Sequence, residues 1–132
     1  MDPAQRDPAT REWLRVADED LQLMRVIATN NAPARGIAFH AQQAADKALK
    51  AALVFEGIDP PRTHSLNELR NLLPVSWRVR SEYPELGPLS LWATEGRYSF
   101  ELPTQSADEA LRQAEGIVAS VLADLAARGL QR

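Results

Sequence analysis

Apolar residues recur at Trp13/Leu14, Ala17, Leu21, Met24 and Ile27/Ala28, the spacing of one helix face. Asp7 followed by Pro8 reads as an N-cap and first helical residue, so the first helix is predicted over 7–30 with residues 1–6 disordered. Asn30-Asn31-Ala32-Pro33 ends it, and a second helix is predicted over 33–56 with Gly57 as its stop. After a loop over 57–64, Ser65 and Glu68 have capping-box spacing ahead of Leu66, Leu69, Leu72 and Leu73. This predicts a short third helix closed by Pro74. Between 75 and 103, Pro84, Gly87, Pro88, Gly96 and Pro103 interrupt the pattern and leave one short helix near Pro88 to Glu95. Ser106 and Glu109 form a second capping box, and Ala110/Leu111, Ala114, Ile117/Val118, Val121/Leu122 and Leu125 predict a last long helix over 105–128, ended by Gly129. No stretch alternates like a strand and none repeats. The expected fold is all-α, an up-and-down bundle of four to five helices, three long and one or two short, as a single domain over 1–132.

The second helix has two unlike sides. Ile37, Ala41, Ala44, Ala45, Ala48, Ala52 and Phe55 share one arc, extended by Leu49 and Leu53, and such an alanine face lets another helix approach closely. On the opposite arc His40, Lys47, Gln43, Lys50 and Asp46 fall in that angular order over about 120°. That arc reads as a solvated face stabilised by the Asp46–Lys50 pair at i and i+4, or as a row of donors and cations suited to phosphate. Helix physics alone favours the solvated face.

Composition narrows the choice. The 132 residues include 45% apolar and 25% charged, a globular balance, and nine prolines that fall mostly between the periodic segments. There is no cysteine, no secretory leader pattern and no apolar run near the ~20 residues of a membrane span, so a soluble cytoplasmic protein is expected, with no membrane association. The formal net charge of −3 is unevenly spread, with a local +3 over residues 35–80 between acidic flanks. A basic middle steers phosphate, although so small an excess equally fits chance. The two histidines, 24 residues apart and with no third ligand, make no metal site, and no phosphate-cradling glycine loop or nucleophile elbow is present. No cofactor is expected.

The phrase FHAQQAADKALKAALVFEGIDPPRTHSLNEL over residues 39–69 resembles the HEPN domain family (higher eukaryotes and prokaryotes nucleotide-binding). Trp13, Ala17, Asp20 and Leu21 fit its W-x3-A-x2-DL pattern, and Arg97-Tyr98 stand where members often read RYP. The resemblance implies a small helical bundle, commonly a homodimer, that binds or acts on nucleotides and RNA. It also implies, for many members, a minimal nucleotidyltransferase partner in a toxin–antitoxin pair, with the HEPN protein as the RNase. Asp46, where the family usually has Glu, keeps the acid-x3-Lys spacing to Lys50, and the resemblance places this pair and Arg97 in a polar site.

Nuclease-active members carry Arg, four to six residues, then His near the start of the late helix. Metal-free RNA cleavage needs a base for the ribose 2′-OH and a cation for the charge developing on phosphate. Here Arg97 is followed by Tyr98 through Thr104 without a histidine, so the motif is incomplete. Arg35-x4-His40 has the spacing by letter, but on a helix the two side chains stand about 140° apart, and the pair reads as coincidence. The candidates for chemistry are His40, His64 and Arg97. Those for nucleotide or RNA binding are Gln43, Asp46, Lys47, Lys50, Arg62 and Tyr98, with Tyr98 as a stacking ring. His64 in Thr63-His64-Ser65 also reads as a loop-closing residue, and His40 as a packed one. Three functions follow: a nucleotide- or RNA-binding HEPN subunit beside a nucleotidyltransferase, a metal-independent endoribonuclease toxin, or a non-catalytic homodimeric adaptor.

Overall fold

Asp2 and Pro3 start the first helix, one turn earlier than the expected Asp7 and Pro8. In the computed structural model, which describes residues 2–93 and 105–131, α1 spans Pro3–Thr29, and the Asp2 carboxylate accepts from the Gln5 N–H at 3.1 Å. Residues 2–6, expected to be disordered, are the cap and first turn. Pro8 lies inside the helix and removes one bond, the one its own N–H would have made to the carbonyl of exposed Ala4. That early in a helix the loss is local, so a second Asp-Pro pair upstream takes over the start.

The remaining elements are α2 (Ala34–Phe55), α3 (Leu66–Asn71), α4 (Arg78–Glu82), α5 (Gly87–Ser90), a 3-10 turn (Leu91–Ala93) and α6 (Ala107–Ala127). Every regular element among the described residues is helical. The fifth segment matches the short helix expected near Pro88 as far as Ala93, beyond which the expectation lies outside the described residues. The sequence pattern did not predict α4. Its N-terminus is capped from a distance: buried Asp124 of α6 accepts from the Arg78 N–H at 2.7 Å and from its Nε at 2.8 Å.

Caps set the other ends as their chemistry dictates. Ser106 and Glu109 form a reciprocal capping box on α6. At α3 only half of that motif forms: Ser65 accepts from the Glu68 N–H, while its own N–H goes to the Thr63 hydroxyl at 3.1 Å. The second helix ends in a Schellman motif, with Ile58 N–H to Leu53 and Gly57 N–H to Val54. Gly57 has φ 78°, a left-handed conformation that glycine adopts without a Cβ penalty.

The centre of the bundle is α2, which packs extensively against α1 and α6, while those two helices touch each other little. Ala38, Ala41, Ala44, Ala45, Ala48, Ala51 and Ala52 are wholly buried, and Met24, Leu49, Leu53, Leu66, Leu69 and Ile117 fill the space around them. Burying each large aliphatic side chain contributes about 1.5–3 kcal/mol. One continuous apolar cluster joins all the helices. Flanked on two sides, α2 has little surface left, and its polar arc is therefore largely covered.

Candidate nucleotide-binding face

The cover begins with α1. Trp13 and Asp20, two residues of the W-x3-A-x2-DL pattern, face the polar arc of α2, whereas Ala17 and Leu21 lie in the core. His40 Nδ1 stands 2.9 Å from Asp20 Oδ1, and its ring makes an edge contact with Phe39 at 5.3 Å. Lys50 Nζ lies 5.8 Å from the centroid of the Trp13 ring, within cation–π range.

The loop between α2 and α3 supplies the rest. Asp46, expected on a solvated face, is fully buried, and the Lys50 ammonium sits 2.9 Å from its Oδ1. Lys47 Nζ is 3.9 Å from the same oxygen, and His64 Nδ1 is 3.4 Å from Oδ2. The Lys50 contact is an ion pair by distance, but Oδ1 has no hydrogen bond of acceptable geometry. A second route reaches the same loop: Lys47 Nζ donates to Gln43 at 2.9 Å, Gln43 Nε2 to Gln42 at 2.6 Å, and buried Gln42 to the His64 carbonyl at 3.4 Å. The reading of the arc as a solvated strip is thus corrected. Asp46 sits at its core-facing edge, and the Pro60–His64 loop folds over it.

Beside this network Trp13, Lys50, Pro60, Pro61 and Arg62 line an open depression of about 250 Å³. Arg62 is exposed and, among the described residues, has no ion pair; the His64 side chain is 59% exposed. The structure therefore gathers Gln43, Asp46, Lys47, Lys50, Arg62 and His64 on one side of the molecule. His40 is held toward Asp20, and Arg35 lies at the exposed start of α2. Arg97 and Tyr98 lie outside the described residues. The sequence reading gave no site role to Trp13, Asp20, Gln42 or the Pro60-Pro61 pair. The available signal was an indole at the margin of the α1 stripe and a double proline three residues before the His64 loop end.

Two larger depressions lie along α1, about 350 Å³ at Ala9, Glu12, Trp13 and Val16 and about 300 Å³ at Glu19, Gln22, Leu23 and Val26. Each is lined by a carboxylate, Glu12 or Glu19, that pairs with Arg15, and neither lining includes a cation. Among the described residues no group of three His, Cys, Asp or Glu is placed to hold a metal ion, and no helix is long and apolar enough to cross a membrane.

These features define an all-helical bundle whose central helix carries a partly covered strip of cations and amides beside a proline-rich loop. The family model of the HEPN domain matches residues 10–124, and the chain belongs to that family. Its function is accordingly nucleotide- or RNA-related in general. Comparison with curated proteins and with solved structures gives no match.

Proposed function

We propose that the protein is a HEPN subunit that binds nucleotide or RNA phosphate through Lys47, Lys50 and Arg62, with Gln43, Asp46 and His40 shaping the face and Arg97 and Tyr98 adding to it. The observation that carries this reading is the cationic rim of the α2 face, with Arg62 exposed beside Lys50 over an aromatic wall. Cations next to an aromatic ring are the means by which single strands are held without sequence readout. Asp46 orients Lys50 and anchors the loop through His64. The reading includes a homodimer, a minimal nucleotidyltransferase as partner and a toxin–antitoxin-type pairing, in the cytoplasm. Salt-dependent binding of a labelled single-stranded RNA tests it: Lys50→Ala and Arg62→Ala should each weaken binding and flatten the log–log salt slope by about 0.7. Unchanged slopes in both variants would move the phosphate contacts elsewhere.

A second reading, a metal-independent endoribonuclease, is favoured by the His64–Asp46 contact. A carboxylate on Nδ1 fixes the ring and leaves Nε2 toward solvent as a base, with Arg62 two residues away as a phosphate stabiliser. Cleavage of labelled RNA in EDTA that disappears in His64→Ala would select this reading; binding without cleavage selects the first.

A further inference from the structure

Resting on the binding reading above, we infer that the depression between Trp13 and the Pro60-Pro61 turn holds one unstacked nucleotide, its base against the Trp13 indole and its phosphate between Lys50 and Arg62. Two observations converge on this. The lining combines two chemistries, an indole and two prolines as apolar surface and the cations Lys50 and Arg62, with Lys50 Nζ 5.8 Å from the centroid of the Trp13 ring. Bases stack on such surfaces whatever their identity, because every base has a π-face. The depression is open and small, about 250 Å³, with room for one base and part of its sugar. A duplex hides its base faces in its own stack, so only an unpaired residue presents what Trp13 can bind.

The cations are suited to unequal parts. Lys50 is fixed by Asp46, with its side chain only 12% exposed, and supplies a positioned charge. Arg62 is exposed on the loop and supplies a planar fork that closes on phosphate oxygens. Free mononucleotides and single-stranded RNA offer the same base-plus-phosphate unit, and the experiment separates them.

The protein provides its own reporter. Of its three tryptophans, Trp77 and Trp92 are buried, so quenching of tryptophan emission by a stacked base reads Trp13. The full chain is titrated with AMP, with a labelled single-stranded oligoadenylate and with a labelled duplex of equal length, following quenching and anisotropy together. The inference expects quenching by the single strand and not by the duplex. Arg62→Ala should weaken binding about tenfold, and Trp13→Ala about 5- to 150-fold. Trp13→Phe keeps a ring for stacking and guards against a Trp13→Ala variant that fails to fold, as does exposed Arg62. Competition by AMP identifies a free mononucleotide as ligand; quenching by the strand without competition identifies a residue within a strand. Single-strand binding with no quenching in the wild type, and with normal affinity in folded Trp13→Ala, overturns this inference while leaving the binding function standing. Absence of binding to any probe at low salt overturns both.

Discussion

Asp46 and Asp124 are both buried aspartates on long helices, and they are treated in opposite ways. Asp124 accepts from the backbone N–H and the guanidinium of Arg78 at 2.7 and 2.8 Å, one bond to each oxygen. Its partner remains in water, with the Arg78 side chain 55% exposed. Asp46 has His64 at 3.4 Å, Lys47 at 3.9 Å and Lys50 at 2.9 Å without hydrogen-bond alignment. Stability alone favours the first arrangement, because a buried carboxylate costs several kcal/mol unless its lone pairs are satisfied. The first acid joins α6 to α4. The second holds two cations and a half-exposed histidine beside an open depression.

Removing the carboxylate separates the two cases most sharply. In Asp46→Ala the Lys50 ammonium is left largely buried without its counter-charge, and a loss of about 3 kcal/mol is expected in urea unfolding. Replacing both partners, Asp46→Leu with Lys50→Met, should recover most of it, since an apolar pair of similar volume dispenses with both desolvations. A loss much below this in the single variant would mean that the face tolerates an uncompensated cation, and the contrast would fail. Asp124→Ala is expected to cost less, about 1–2 kcal/mol, for an unfilled N-terminal cap on α4. Arg78→Ala should change still less, because its charge is already solvated.

The joint around α4 and α6 has a pH dependence of its own. Tyr83 packs so closely on α6 that a methyl group at Gly116 would collide with its hydroxyl. Burial, and secondarily the nearby Glu82 charge, raises the Tyr83 phenol above its ordinary 10.0. The folded state therefore keeps this proton to higher pH than the unfolded chain. Its stabilising contribution is complete below about pH 10 and is lost as pH rises through the folded value. Urea midpoints taken from pH 8 to pH 11 should fall more steeply in the wild type than in Tyr83→Phe, by less than about 1 kcal/mol because the ring keeps some exposure. Parallel curves would remove Tyr83 from the joint's electrostatics.

What the sequence disclosed follows the range of the interactions. The apolar stripe from Leu14 to Met24, the Ser106–Glu109 box and the stop at Gly57 are local patterns, and the bundle follows from them. The Asp124 cap on Arg78 spans 46 residues and leaves no local trace, so α4 was missed. The polar arc of α2 shows an intermediate case. Its members were legible, but their burial depended on Trp13 arriving from α1 and on the Pro60–His64 loop closing from above, contacts that no helical periodicity encodes. The resemblance to the family marked Asp46 and Lys50, and geometry shows why the pair is coupled to the loop.

Arg62 offers the smallest structural effect and for that reason the sharpest division between the two regions. It is exposed and makes no ion pair among the described residues, so Arg62→Ala should leave the unfolding free energy from urea titration within about 0.5 kcal/mol of wild type, with the midpoint little moved. Residues of the Asp124 joint should do the reverse, lowering stability while leaving RNA affinity unchanged at temperatures where the variants are folded. Measuring both quantities on Arg62→Ala and Asp124→Ala therefore gives a two-by-two test. If Arg62→Ala weakened folding and binding in proportion, its loop would be part of the scaffold, and the face beside Asp46 would be as structural as the joint beside Asp124. If affinity falls with the midpoint unmoved, the imperfectly satisfied acid is a cost the fold bears for the cations it positions.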